Sequence, residues 1–206
     1  MYDVRNGVFY GNAGTDTFVY GHPLVETFVE YIQSDDHVFI DTGFKANQDS
    51  RVVMDFIAIR SGDLFGGRNT QSSRAFGVFT SSGIYKHSYG TTTTTVKDYD
   101  GGRHIIDMDK NVLKEDGVVI YTAEAQRFQC SHQLYLSATK TASTVYYGET
   151  RIYSCQIYDN GVLIRDYVPC KSKSGAYCMY DKVSNQVYES GGEGSFSGPA
   201  VEAATR

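Results

Sequence analysis

The chain has 206 residues and a net charge of −5, with 21 Gly, 17 Tyr and 11 Phe against 3 Pro and no Trp. That length accommodates one large β-sandwich, and this mix of Gly, Tyr and β-branched residues favours strands joined by tight turns. An acidic chain without a block of like charge argues against nucleic-acid binding, and no apolar run nears the roughly 18 residues of a membrane span.

The first residues are a second copy of a later stretch. Met1-Tyr2-Asp3 matches Met179-Tyr180-Asp181; at the same offset Tyr10 falls on Tyr188, Gly14 on Gly192 and Phe18 on Phe196. The gapless register sets this apart from a similarity of composition. A period of one domain length excludes a solenoid of short units and predicts a tandem array. In that reading residues 1–21 are the C-terminal remnant of a preceding repeat, 22–26 a linker stiffened by Pro23, 27–198 the complete domain and 199–206 a tail. The N-terminus lacks the basic-then-apolar pattern of a secretory leader, so an export signal would lie elsewhere in a longer parent.

Short strands then alternate with turn signals, as in an all-β sandwich. Leu24 to Ile32 is the best helical candidate. Tyr31-Ile32-Gln33 and Val38-Phe39-Ile40 flank a polar turn at Ser34-Asp35-Asp36. Arg51 to Ile59 has the length of a core strand. Leu64 to Arg68, Ala75 to Phe79 and Ile84 to Tyr89 follow, while Thr91 to Thr95 fits a strand or a loop. Arg103 to Met108 and Val112 to Glu115 are joined at Asp109-Lys110-Asn111, and Asp116-Gly117 turns into Val118 to Tyr121. The clearest hairpin is Arg151 to Pro169. Its Asn160-Gly161 is a type I′ signal, and a regular ladder would set Ile157 opposite Ile164 and Cys155 opposite Asp166. That register argues against a Cys155–Cys170 disulfide. Cys130, Cys155, Cys170 and Cys178 lack metal-like spacing and are read as free thiols packed as small apolar groups, two of which an oxidising compartment could pair.

Several strings resemble the laminin-G-like, concanavalin-type jelly-roll domains of bacterial surface and phage proteins. They are Tyr31-Ile-Gln-Ser34, Phe39-Ile-Asp-Thr-Gly-Phe44, Arg51-Val-Val-Met-Asp-Phe56, Phe65-Gly-Gly-Arg68, Leu113-x-x-Asp116-Gly117, Leu134-Tyr-Leu136, the 151–170 hairpin, and Met179-Tyr-Asp181 with Tyr188 and Phe196. The resemblance spans about residues 28 to 198. It implies an all-β fold of two antiparallel sheets packed face to face, and non-catalytic binding, often of glycans or cell surfaces.

Glucan hydrolases on this architecture place two carboxylates on one strand, a few ångströms apart. Asp98-Tyr99-Asp100 and Asp107-Met108-Asp109 have no Glu in phase, and no Gly-x-Ser-x-Gly elbow exists, so the chain is read as a non-enzyme. Asp35, Asp36, Asp98 and Asp100 fall in predicted loops. They are candidates for calcium, or cap their own turns; the second role is favoured, because so few carboxylates fall short of a calcium shell. No other cofactor is expected. Tyr85, His87 and Tyr89 share one strand face, where rings could stack on sugars for about 1 kcal/mol each. With Arg68 they are the candidate ligand-binding residues. The alternative, favoured by the more polar opposite face of Ile84, Lys86 and Ser88, is that these rings pack in the core.

The expected function is a non-catalytic binding module of a tandem-repeat surface protein, recognising a glycan or cell-surface ligand. The alternative is a phage virion or fibre domain acting in assembly or host attachment. Either places the chain outside the cell, on a cell surface or in a virion. Residues 1–21 could also mediate self-association by adding a strand to a neighbour's sheet edge.

Overall fold

The computed structural model describes residues 22–35, 37–69 and 75–200, together with the backbone of three strands in the first twenty residues. Those three are β1 (Asp3–Arg5), β2 (Val8–Ala13) and β3 (Asp16–Tyr20), which form a small sheet of their own. Next come β4 (Val25–Phe28), β5 (Ile32–Gln33), β6 (Ile40–Asp41), β7 (Ser50–Ala58), β8 (Gly62–Arg68), β9 (Ala75–Ser81), β10 (Ile84–Gly90) and β11 (Thr92–Asp98). The chain continues through β12 (His104–Asp109), β13 (Val112–Glu115), β14 (Val118–Thr122), β15 (Tyr135–Leu136), β16 (Ala138–Lys140) and β17 (Val145–Tyr147). It closes with β18 (Thr150–Asp159), β19 (Val162–Ser172), β20 (Tyr177–Asp181) and β21 (Gln186–Tyr188).

The chain folds as the all-β, two-sheet sandwich of jelly-roll type that its motifs imply. One sheet runs β11-β10-β9-β8-β15-β6, with β16 and β17 attached at β8. The other runs β14-β13-β12-β7-β18-β19-β20-β21, with β4 and β5 attached at β19 and β18. All pairs in both sheets are antiparallel except the short one between β16 and β8.

Strand periodicity builds the core. Along β7 every second residue is buried, which sends Val52, Met54 and Phe56 inward and leaves Arg51, Val53 and Asp55 half-exposed. Ile106 and Met108 of β12, and Ile152, Cys155 and Ile157 of β18, extend that face. Leu64, Phe65, Phe76, Val78 and Tyr85 answer from the opposite sheet. Phe56 is central: its ring lies 6.5 Å from Tyr85 and 6.0 Å from Tyr99.

Two expectations are corrected, the helix at Leu24 to Ile32 and the regular hairpin ladder, and the open reading of Thr91 to Thr95 is settled as a strand. Leu24 to Ile32 is not helical but forms β4 and β5, because β19 and β18 offer edges to which these residues hydrogen-bond. Thr92–Asp98 is a strand, paired with β10. The 151–170 hairpin closes at Asn160-Gly161, both at positive φ (48° and 80°), and pairs Tyr158 with Leu163. A bulge then pairs Ile157 with Arg165 and Cys155 with Tyr167, one residue beyond the regular ladder.

The repeated positions have defined roles in the C-terminal copy. Met179 and Phe196 are buried in the core, and Tyr188 packs edge-on against Tyr167 at 5.1 Å. Asp181 is fully buried and accepts from the backbone N–H groups of Asp166, Val183 and Ser184. A side chain on Gly192 would run into the His37 carbonyl. The strand registers differ between the copies: β1–β2 pairs Asp3 with Tyr10, whereas β20–β21 pairs Met179 with Tyr188.

Truncating Phe56 to Ala should cost about 3–5 kcal/mol, the range for a large aromatic removed from a close-packed core. Val118→Ala, at an exposed position, should change stability by less than about 0.5 kcal/mol. Urea denaturation of both variants checks the contrast.

Candidate functional site

Tyr85, His87 and Tyr89 do share one face of β10, but it is the inward face. All three are buried, because alternation along β10 turns them toward the opposite sheet. Tyr85 meets Phe56, Tyr89 packs edge-on against Phe128 at 5.0 Å, and His87 packs edge-on against Tyr121 at 5.4 Å. The Tyr89 hydroxyl donates to the Gln48 carbonyl. None of these rings can stack on an external sugar: the core packing favoured by the polar opposite face holds, and their candidacy as ligand-binding residues is corrected. His87 Nε2 is buried without a hydrogen-bond partner, and desolvation pulls its imidazole down to about 4.

Arg68, the fourth candidate, lies on the outer face of the same sheet. A bulge in β8 explains its neighbours. Asp63 pairs with Phe79, but Phe65, not Leu64, pairs with the next residue, Val78. The extra residue sends both Leu64 and Phe65 into the core. It also brings Asp63, Gly66 and Arg68 onto one outward face, where simple alternation would have separated Asp63 from Arg68.

β16 runs alongside, with Thr139 opposite Gly66. A Cβ on Gly66 would land on the Thr139 hydroxyl, and one on Gly77 would meet the Phe65 carbonyl. Two glycines at adjacent cross-strand positions therefore let Thr139 sit close to the sheet and donate to Asp63 Oδ1 at 2.5 Å. Tyr146 of β17 is the cross-strand partner of Thr139, and the residue is 53% exposed. Asp63, Arg68, Phe79, Thr139 and Tyr146 thus border a depression of about 200 Å³. A narrow cleft extends from it across Gly66 and Gly77 to Ser88.

This depression holds a carboxylate in an unfavourable place. Burial pushes the Asp63 carboxyl up to about 6, against the Thr139 hydroxyl bond and the Arg68 charge, which both favour ionisation. Near neutral pH the site presents an acceptor carboxylate, a guanidinium and an exposed aromatic ring within one recess. It can accept hydrogen bonds from hydroxyls, donate to ring or carboxylate oxygens and stack on an apolar sugar face.

A larger depression of about 600 Å³ opens at one end of the sandwich, between Gln48, Asp49, Lys110 and Gln126. Several of its polar groups satisfy one another: Gln126 bonds Thr91 and the Tyr89 carbonyl, and the Gln48 side chain bonds Phe128 and Asp49. The calcium candidates lie elsewhere. Asp35 accepts from the His37 N–H, Asp98 is exposed, and Asp100 accepts from Gly102 N–H and bonds His104 at 2.8 Å. Asp36 lies outside the described residues. Among the described residues no three or more His, Cys, Asp or Glu side chains are grouped to hold a metal ion.

Of the residues bordering this depression, the sequence singles out Arg68 and not Asp63, Phe79, Thr139 or Tyr146. The available signal was Gly66-Gly67 inside a strand, which marks close approach by another backbone or a ligand.

No family model and no curated protein matches the chain. Among solved structures, mouse laminin alpha1 chain, domains LG4-5, is similar in fold, with 13% sequence identity and a TM-score of 0.45. The match covers 74% of this chain and 47% of that one, so this chain spans about half the length of the laminin fragment. The functional reading rests on the site itself.

Two pH effects follow. Asp63 titrates higher in the fold than in the unfolded chain, so its contribution to stability is present below about pH 4 and lost as pH rises through about 6. Asp63→Asn keeps the acceptor for Thr139 and should exceed the parent in stability above pH 6 by on the order of 2 kcal/mol, with the gap closing near pH 4. His87 runs the other way: its depressed value removes stability as pH falls from 6.5 through about 4. His87→Phe should flatten that acid limb, worth on the order of 3 kcal/mol. The two windows overlap, so the check is the difference between each variant and the parent in urea titrations from pH 4 to 8.

Proposed function

We propose that the chain is a non-catalytic recognition module that takes a glycan, or another polyhydroxylated cell-surface ligand, in the depression around Asp63. The observation that carries this reading is the carboxylate itself. A desolvated Asp63 costs stability at neutral pH, yet it stands between a hydroxyl donor, an arginine and an exposed tyrosine. Perturbed ionisable groups in a recess mark functional sites more often than surface ion pairs do, and a few convergent polar groups beside an aromatic ring are the usual makings of a small-ligand site. On this reading Asp63 accepts from vicinal hydroxyls, Arg68 donates to ligand oxygens and Tyr146 stacks on the ring face. The sequence repeat supports an extracellular or cell-surface array in which residues 1–21 close a preceding unit.

A second reading, a structural domain of a virion or fibre, draws on Val118 and Val119. Both are exposed along the edge strand β14, where another chain could extend the sheet. A stable trimer in analytical ultracentrifugation would favour it.

A glycan array tests the first reading. Binding should weaken about tenfold in Tyr146→Ala and in Arg68→Ala, as expected for the loss of roughly 1.4 kcal/mol each. Binding by the parent should also decline between pH 7.5 and 5 as Asp63 is protonated, and lose that slope in Asp63→Asn. A clean negative across varied neutral and acidic glycans would remove the glycan assignment.

A further inference from the structure

The outer face of the second sheet carries a small apolar layer of its own. Val25, Cys170, Cys178 and Tyr180 are buried in it, with Phe28, Val168 and Val187 packed against them. Alternation explains its separation from the core: Tyr167 and Met179 point inward, while Val168, Cys170, Cys178 and Tyr180 point out. The segment leading in from the N-terminal strands is held here. His22 packs edge-on against Tyr180 at 4.6 Å, its Nδ1 accepts from the Leu24 and Val25 N–H groups, and β4 pairs with β19 at Cys170 and Phe28.

Within this layer Cys170 and Cys178 are direct cross-strand partners. Their sulfurs are 3.2 Å apart, and both residues are fully buried. Paired positions on antiparallel strands have Cα atoms about 4.5–5.5 Å apart, inside the about 4.4–6.8 Å that a disulfide spans. The other two thiols are placed differently. Cys130 donates to the Gly67 carbonyl, and Cys155 faces Tyr167 across β18 and β19.

We propose that Cys170 and Cys178 are a dithiol site that closes to a cross-strand disulfide by exchange with a small-molecule disulfide. One thiolate attacks a sulfur of the oxidant, breaking its S–S bond and releasing one thiol. The second thiolate attacks the resulting mixed disulfide, forms the Cys170–Cys178 bond and releases the second thiol. Two electrons pass to the oxidant, and the two protein protons end on its two thiols. Either sulfur can make the first attack, because the two thiols share one hydrogen bond in which either can be the donor. Both sulfurs are covered, so exchange proceeds through local opening beside the exposed turn at 173–175. The bond pins β20 to the stretch of β19 on which β4 is paired. Oxidation therefore tightens the hold of residues 22–28 on the domain.

The test titrates the folded full-length chain with oxidised glutathione, blocks remaining thiols with iodoacetamide and maps tryptic peptides without reduction. Trypsin cuts at Lys171 and Lys173, between the two cysteines, so the bond yields a linked pair of otherwise separate peptides. The expected result is that pair, its absence in Cys170→Ser and Cys178→Ser, an unchanged circular dichroism spectrum, and an unfolding constant lowered by on the order of tenfold or more relative to the reduced chain. Glutathione adducts without the linked pair, or a pair formed only in urea-unfolded chain, would overturn the proposal. The parent chain alone gives this readout, so it does not depend on the serine variants folding.

Discussion

Thr139 can stand beside Gly66 only because Gly66 has no side chain. Much of the outer face of the first sheet follows from that contact. β8 is shared on one edge by β9 and on the other by β15 and β16. The chain reverses between β15 and β16 at Ser137, held at φ 62° with its N–H donating to the Leu64 carbonyl. Tyr135-Leu136 therefore runs antiparallel to β8, and Thr139-Lys140 runs parallel to the same strand. The Leu64 carbonyl that anchors this reversal belongs to the bulge residue. One irregular residue thus fixes three features: Leu64 and Phe65 in the core, Asp63 and Arg68 on one face, and β16 within reach of both.

The cost of this arrangement falls on Asp63. The core supplies a large apolar payload at Phe56, Phe65, Phe76 and Tyr85, against which one desolvated carboxyl is a modest debit. His87 is a second debit of opposite sign on the same sheet, one strand away from β9. It differs in kind. His87 faces the interior and is unpartnered at Nε2, so it reports only packing. Asp63 faces a recess and has a donor, a cation and an aromatic ring around it. Burial penalises both groups, but of the two only Asp63 borders a recess open to the outside.

The regular parts of the fold are legible in the sequence, and the irregular parts are not. The alternation at Arg51 to Ile59, the Asn160-Gly161 turn and the inward triad of Tyr85, His87 and Tyr89 follow from period-two patterning and from the residues that tolerate positive φ. What patterning cannot supply is where the period slips. The bulge near Ile157 moves Cys155 from Asp166 to Tyr167, and the bulge at Leu64 turns Asp63 and Arg68 into neighbours. Both depend on how a strand is pulled by partners distant in sequence. The same holds for Leu24, Phe28 and Ile32, whose spacing imitates a helix although they lie in or beside two short strands claimed by the edges of β19 and β18. Thr139 and Tyr146 carry no local signal, because their meaning arises only when β16 and β17 dock on Gly66.

The two outer faces of the sandwich carry different features. The recess around Asp63 opens on the outside of the first sheet, whereas residues 22–28 and the Cys170–Cys178 pair lie on the outside of the second. The core built from Val52, Met54, Phe56, Phe65, Phe76 and Tyr85 separates them. Oxidation of the thiol pair acts on how residues 22–28 are held, because β4 pairs with β19 at Cys170.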